Sequence, residues 1–178
     1  YGVTLAVLAA GIAPGGYAQT EPAQAGLEKA RKYLKIHPAP SLHHRIMIAW
    51  ASLRIEGLMD KKEREEVLET MLLKQLANGG WSTPSFLADW KSYERKDGKP
   101  HDVNSSDAYG TGLALVVARE MGVPATDCRL QKGVAWLKSN QRESGKWFSR
   151  SPVKDSKHYF TNTGCAFALL GLQACGTL

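Results

Sequence analysis

Lys74-Gln75-Leu76-Ala77-Asn78-Gly79-Gly80-Trp81 returns 66 residues later as Asn140-Gln141-Arg142-Glu143-Ser144-Gly145-Lys146-Trp147. Both stretches read Gln-x-x-x-Gly-x-Trp, and each closes a segment of helical periodicity. A glutamine, a glycine and a tryptophan in fixed register, used twice, point to repeat architecture. In such folds each unit buries its apolar face only against its neighbours.

Two kinds of helical segment alternate around these stretches. Tyr1–Ala10, His44–Ile55, Asp107–Met121 and Gly164–Cys175 are apolar nearly all round, which predicts buried helices. Gly26–Ile36, Asp60–Gln75 and Asp127–Asn140 are amphipathic. In the second of these Val67, Leu68, Met71 and Leu72 line one stripe, and Asp60 with Glu63 has the spacing of a capping box. In the third, Leu130, Val134 and Leu137 share a face that Arg129, Lys132 and Lys138 avoid. The alternation predicts a single all-α domain of about three and a half helical hairpins, each giving one inner and one outer helix. Strand patterns are nearly absent. Residues 82–106 and 148–162 read as long loops, and loops of that length inside a domain tend to carry function.

The 178 residues suffice for one domain with a real core, and 43% hydrophobic with 22% charged residues is the composition of a globular chain. The net charge is +6, with basic residues dominating from Arg129 to Lys157. No basic block is interleaved with aromatics, so nucleic acid is not an expected partner. Three cysteines, two of them in an apolar run, do not make a disulfide framework. No stretch reaches the length of an apolar membrane span.

The first residues allow two readings. Tyr1-Gly2-Val3-Thr4-Leu5-Ala6-Val7-Leu8 parallels Tyr109-Gly110-Thr111-Gly112-Leu113-Ala114-Leu115-Val116, and each then meets a glycine and a proline, Gly11 and Pro14 or Gly122 and Pro124. That favours a repeat helix and a chain that is part of something longer. The alternative is a trimmed signal peptide over residues 1–18, which would make the protein an exported one.

Lys132-Gly133-Val134-Ala135-Trp136-Leu137, continued by Gln141, Gly145 and Trp147, resembles the QW motif of squalene-hopene and oxidosqualene cyclases. The first copy keeps Gln75, Gly79 and Trp81 but has Leu72-Leu73 where the family has an aromatic-Leu pair. Lys29-Ala30-Arg31-Lys32-Tyr33-Leu34 carries the front half of a third copy and meets Pro38 where the glutamine would stand. The resemblance implies an α/α toroid, of which this chain would form a C-terminal portion. It also implies a structural role for Gln75, Gly79, Trp81, Gln141, Gly145 and Trp147. The glutamine amide would bond exposed backbone groups at a helix end, the tryptophan would cover it, and the glycine would permit the turn.

Within that superfamily the reaction is not written in these residues. The Asp-x-Asp-Asp of alkene-protonating cyclases is missing; the nearest stretch is Asp102-Val103-Asn104-Ser105-Ser106-Asp107. Against the zinc ligands of protein prenyltransferase β subunits stand Ser106, Ala108 and Gly164, so no metal is expected, and no cofactor. The thioester Gly-Cys-Gly-Glu-Gln of complement domains is absent too. His158-Tyr159-Phe160-Thr161-Asn162-Thr163-Gly164 is similar to the terminal Phe-Thr-Gly-Thr-Gly of hopene cyclases, whose phenylalanine lines the cavity.

The resemblance thus implies a squalene/hopene-cyclase-like module that binds a polyprenyl or triterpene chain and lacks the protonating acid. The competing expectation is a non-catalytic toroid that binds a lipid or a protein. Candidate substrate contacts are Trp90, Tyr93, Tyr109, Tyr159 and Phe160. Asp107 is a candidate acid at the mouth of an inner helix, where an N-cap role competes. His43 and His44 are expected in surface or cap roles, because adjacent residues do not share a helix face. Expected partners are a hydrophobic isoprenoid or lipid, the remainder of the toroid and, peripherally, a membrane; a cyclase fragment would be cytoplasmic or membrane-peripheral.

Overall fold

Three aspartates start three of the helices. Asp60 accepts from the Glu63 amide at 2.8 Å while the Glu63 carboxylate accepts from the Asp60 amide at 2.8 Å, a complete capping box. Asp107 and Asp127 likewise accept from Gly110 and Arg129. A computed structural model describes residues 2–89, 93–155 and 159–178, and among these the only regular structure is helical, with no strand. The helices are α1 (Gly2–Ile12), α2 (Glu21–Ile36), α3 (Leu42–Ser52), α4 (Lys61–Leu73), α5 (Thr83–Leu87), α6 (Ala108–Glu120), α7 (Cys128–Ser139) and α8 (Tyr159–Ala174). The fold class is all-α, as the periodicity predicts. Three features differ from the sequence reading. The stretch 82–106 contains the short helix α5, α2 begins at Glu21, ahead of the predicted Gly26, and α8 begins at Tyr159, ahead of the predicted Gly164.

α3 and α6 form the centre, and every residue of α6 from Ala108 to Ala118 is buried. α2, α4 and α7 turn one face inward, through Ala23 and Leu27, through Val67, Met71 and Leu72, and through Leu130, Val134 and Leu137. α8 lies along α6, and at Gly112 and Gly171 the two backbones come too close for a side chain between them. A Cβ on Gly112 would collide with the Phe167 backbone, and one on Gly171 would lie 3.1 Å from the Gly112 carbonyl. The end helices are less covered than their sequence predicts. Leu5 and Ile12 of α1 and Leu169 and Leu170 of α8 are exposed, with Ile12 at 63%. The reason is positional: among the described residues α1 packs chiefly on the inner helix α3, and α8 chiefly on α6.

The two Gln-x-x-x-Gly-x-Trp stretches fold alike. In each, the indole Nε1–H donates to a carbonyl ten residues earlier on the outer helix, Trp81 to Met71 at 2.9 Å and Trp147 to Leu137 at 2.7 Å. The glutamine amide closes the loop between them, Gln75 onto the Gly79 carbonyl at 2.7 Å and Gln141 onto the Gly145 carbonyl at 2.9 Å. Both glycines have positive φ, +92° and +75°. Among the described residues, only the first clasp is docked on another outer helix. Gln75 also donates to the Arg129 carbonyl in the first turn of α7 at 2.7 Å, and a Cβ on Gly133 would lie 2.8 Å from the Trp81 ring. A Cβ on Gly145 would meet nothing within 4 Å.

The two loops are tied to each other. Arg95, 7% exposed, forks onto Asp97, donates to the Ser151 carbonyl at 2.6 Å and reaches Asp155 at 2.6 Å. Lys99 and Arg150 also hold Asp155, at 2.6 and 2.8 Å. The Lys96 amide donates to the Val153 carbonyl at 2.9 Å. Hydrogen bonds from Arg95 hold the Asp97 carboxyl down at about 2, and Arg150 and then Lys99 hold that of Asp155 below the usual carboxylate range.

Two outcomes follow from these contacts. Gly79→Ala should destabilise by about 2–3 kcal/mol, because positive φ and a Cβ 2.8 Å from the Lys132 carbonyl act together. Gly145→Ala, with positive φ alone, should cost about 1 kcal/mol; equal shifts in urea midpoint would contradict the asymmetry. For the loop cluster, a depressed carboxyl pKa gives stability that is present above the unfolded value and lost as pH falls through the folded one. Amide-exchange protection at Lys96 and Asp155 should therefore hold from pH 7 down to the ordinary 3.8 and fade toward about 2. Loss of protection on raising the pH from 5 to 7 would contradict it.

Candidate functional site

The second residues of α3 and α6 are His43 and Tyr109, and they stand 66 positions apart, the same offset as the two clasps. Their side chains meet: His43 Nε2 lies 2.8 Å from the Tyr109 hydroxyl, with both residues buried. This corrects the expectation that His43 is a surface or cap residue. It opens an inner helix, where the equivalent residue of the next inner helix covers it. The repeat register is the signal that would have found the pair. His44, half-buried, has its Nδ1 2.8 Å from the Ser41 hydroxyl.

These residues wall a cleft of about 340 Å³ that also takes in Leu87, Tyr93, Pro152, Phe160 and Thr163. The Phe160 ring lies 5.2 Å from the Tyr109 ring, and Phe167 packs edge-on to Tyr109 at 4.7 Å. α3, α6 and α8 thus supply one side of the cleft, and the two tied loops supply Tyr93 and Pro152. Burial drives the His43 imidazole down to about 3, helped by the neighbouring charge of His44, and burial lowers His44 too. Both rings are neutral at pH 7. Burial pushes the Tyr93 phenol up to about 12 against the pull of Arg95, so it stays protonated. Tyr93 stacks on His101 with ring centroids 4.7 Å apart.

Of the predicted substrate contacts, Tyr93, Tyr109 and Phe160 are brought together in this one cleft. Trp90 and the side chain of Tyr159 lie outside the described residues. Asp107 is placed elsewhere. Its carboxylate accepts from the Thr83 amide at 2.6 Å, the Thr83 hydroxyl at 2.7 Å and the Gly110 amide at 2.9 Å, joining α5 to the start of α6. Burial pushes its pKa up, and these hydrogen bonds pull against that. It borders a second, more polar cleft of about 300 Å³ with Arg95, Asp102, Phe148 and Arg150. The six clasp residues sit at the ends of α4 and α7 and line neither cleft. Among the described residues no three His, Cys, Asp or Glu side chains are grouped to hold a metal ion.

Comparison with known proteins gives a partial likeness. A stretch of 74 residues is 39% identical to squalene–hopene cyclase of Zymomonas mobilis subsp. mobilis, covering 38% of this chain and 11% of that protein. No family model matches the chain, and no solved structure matches it significantly. The chain is therefore similar, over a limited stretch, to a squalene–hopene cyclase, and the sequence motif and the helical architecture agree with that likeness.

Proposed function

We propose that this chain is a squalene/hopene-cyclase-like module that binds an isoprenoid chain in the cleft walled by Tyr93, Tyr109 and Phe160. The observation that carries the reading is the aromatic wall. Phe160 and Tyr109 place aromatic rings 5.2 Å apart in the wall of the cleft at the start of the central helices, where a polyprenyl chain would be desolvated and a cationic centre stabilised. The partial likeness to a squalene–hopene cyclase supports the same ligand class.

The acid that would protonate an alkene is absent from these residues. Asp107 opens onto the other cleft, and both of its oxygens accept hydrogen bonds that join α5 to α6. That commitment favours, as the second reading, a non-catalytic module that holds a lipid or a protein partner. The uncovered apolar faces of α1 and α8, which contain no charged residue, support the packing of further helices of a toroid against them. Peripheral contact with a membrane surface is part of the same proposal, through these faces and the basic surface.

Titration with squalene and farnesol, followed by the intrinsic fluorescence of the chain, tests the reading. Binding is expected, and Phe160→Ala should weaken it about tenfold by removing a ring from the wall. Incubation with squalene should return it unchanged. No binding of any isoprenoid would sink the proposal, and polycyclic product from this chain would show that an acid is present after all.

A further inference from the structure

Clasps close the ends of α4 and α7, and α2 has none. Pro38 stands where the glutamine would, and no tryptophan follows before α3. In place of a clasp, the Arg31 guanidinium on α2 donates to the Glu56 carbonyl at 2.9 Å, just ahead of α4. A groove of about 410 Å³ is left between α2, α3 and residues 57–59. Leu34, Pro38, Ile48, Leu58 and Met59 give it an apolar lining. Arg31, Lys35 and Arg45 line it as well, and among the described residues no carboxylate does. The residues outside that set contain no Asp or Glu. Arg31 is engaged, by the Glu56 carbonyl and by Glu28 at 3.3 Å. The side chains of Lys35 and Arg45 have no hydrogen-bond or ion-pair partner among the described residues, and Arg45 is half-buried.

We infer that this groove binds an organic anion with an apolar body, its carboxylate or phosphate head paired with Arg45 and Lys35. Three like charges around one space repel each other, and a half-buried guanidinium without a counter-charge has lost water for no return. An anionic head offsets both costs, and a guanidinium presents the planar fork that a carboxylate or phosphate accepts from. The head alone would leave the lining of Leu34, Ile48, Leu58 and Met59 wet, so an apolar body adds burial to the charge pairing. The volume lies within the range of small-molecule sites. The groove shares no lining residue with the aromatic cleft, so the inference stands apart from the isoprenoid reading. The damaged third copy of the motif thus opens a site at the place where a clasp would otherwise close the gap.

Decanoate, decanol and acetate, titrated separately against the chain at pH 7 and followed by NMR, test it. Decanoate should shift the amides of Ala39 and Gly57 and the side-chain Nε–H of Arg45, and its affinity should fall with added salt. Decanol, which lacks the charge, and acetate, which lacks the body, should each bind about tenfold more weakly or worse. Arg45→Gln should cost decanoate about tenfold and leave decanol unchanged, while Arg45→Lys should keep most of the affinity. The shifts in the unaltered chain decide the matter even if a variant does not fold. Equal binding of decanol, or equal binding of acetate, would overturn the inference. So would decanoate shifts confined to Tyr93, Tyr109 and Phe160, or binding to phosphatidylglycerol vesicles with none to decanoate. Each of those results leaves the isoprenoid reading of the aromatic cleft to its own titration.

Discussion

An indole N–H bonded to a helix carbonyl ten residues upstream is the contact on which this architecture depends. The last carbonyls of an α-helix have no partner within it, and α4 and α7 end against loops that must turn back toward the next inner helix. Trp81 and Trp147 each add an indole N–H to one such carbonyl, Met71 and Leu137, which the cap amides of Lys74 and Asn140 also reach, and at the same time fill the space behind the turn. The glutamine holds the turn from its other side. Because the same device is used at the same offset, α3–α4 and α6–α7 enter the fold in equivalent orientations. That equivalence is what sets His43 of one inner helix against Tyr109 of the next. The cleft is a consequence of the repeat.

Much of the scaffold is legible in the sequence because its signals are local. Capping aspartates, apolar stripes and glycine–proline stops give seven of the helices, with boundaries close to those observed except at the starts of α2 and α8, which lie at Glu21 and Tyr159, ahead of the predicted Gly26 and Gly164. What escapes is governed by tertiary context. Thr83–Leu87 is too short to show a period, and Tyr159–Thr163 carries turn-forming residues that are helical beside α6. An apolar helix reads as buried whether it has one neighbour or two, so the exposed faces of α1 and α8 are invisible to periodicity. At the site, Tyr93, Tyr109 and Phe160 can be singled out by type and resemblance, whereas the loop cluster joins Arg95 to Asp155, 60 residues away, with no pattern to announce it.

The two clefts divide the chemistry of the chain. Charge is concentrated beside the second, where Arg95 and Arg150 meet carboxylates, and the carboxyl of Asp107 is engaged in joining α5 to α6. The first cleft keeps its titratable groups neutral through burial and surrounds them with rings. The same loop cluster that gathers the charges also fixes Tyr93 and Pro152 in the wall of the neutral cleft, since Arg95 and Val153 are their near neighbours in the chain.

The clasp itself is open to direct measurement through hydrogen exchange of the two indole N–H groups by NMR. The structure places Trp81 and Trp147 at 0% and 2% exposure with their N–H groups bonded to Met71 and Leu137. Both should exchange far more slowly than a free indole. Trp81 should be the slower of the two, because its clasp is the one docked on α7. Exchange of both groups at the free-indole rate would contradict the claim that these two contacts hold the repeats together.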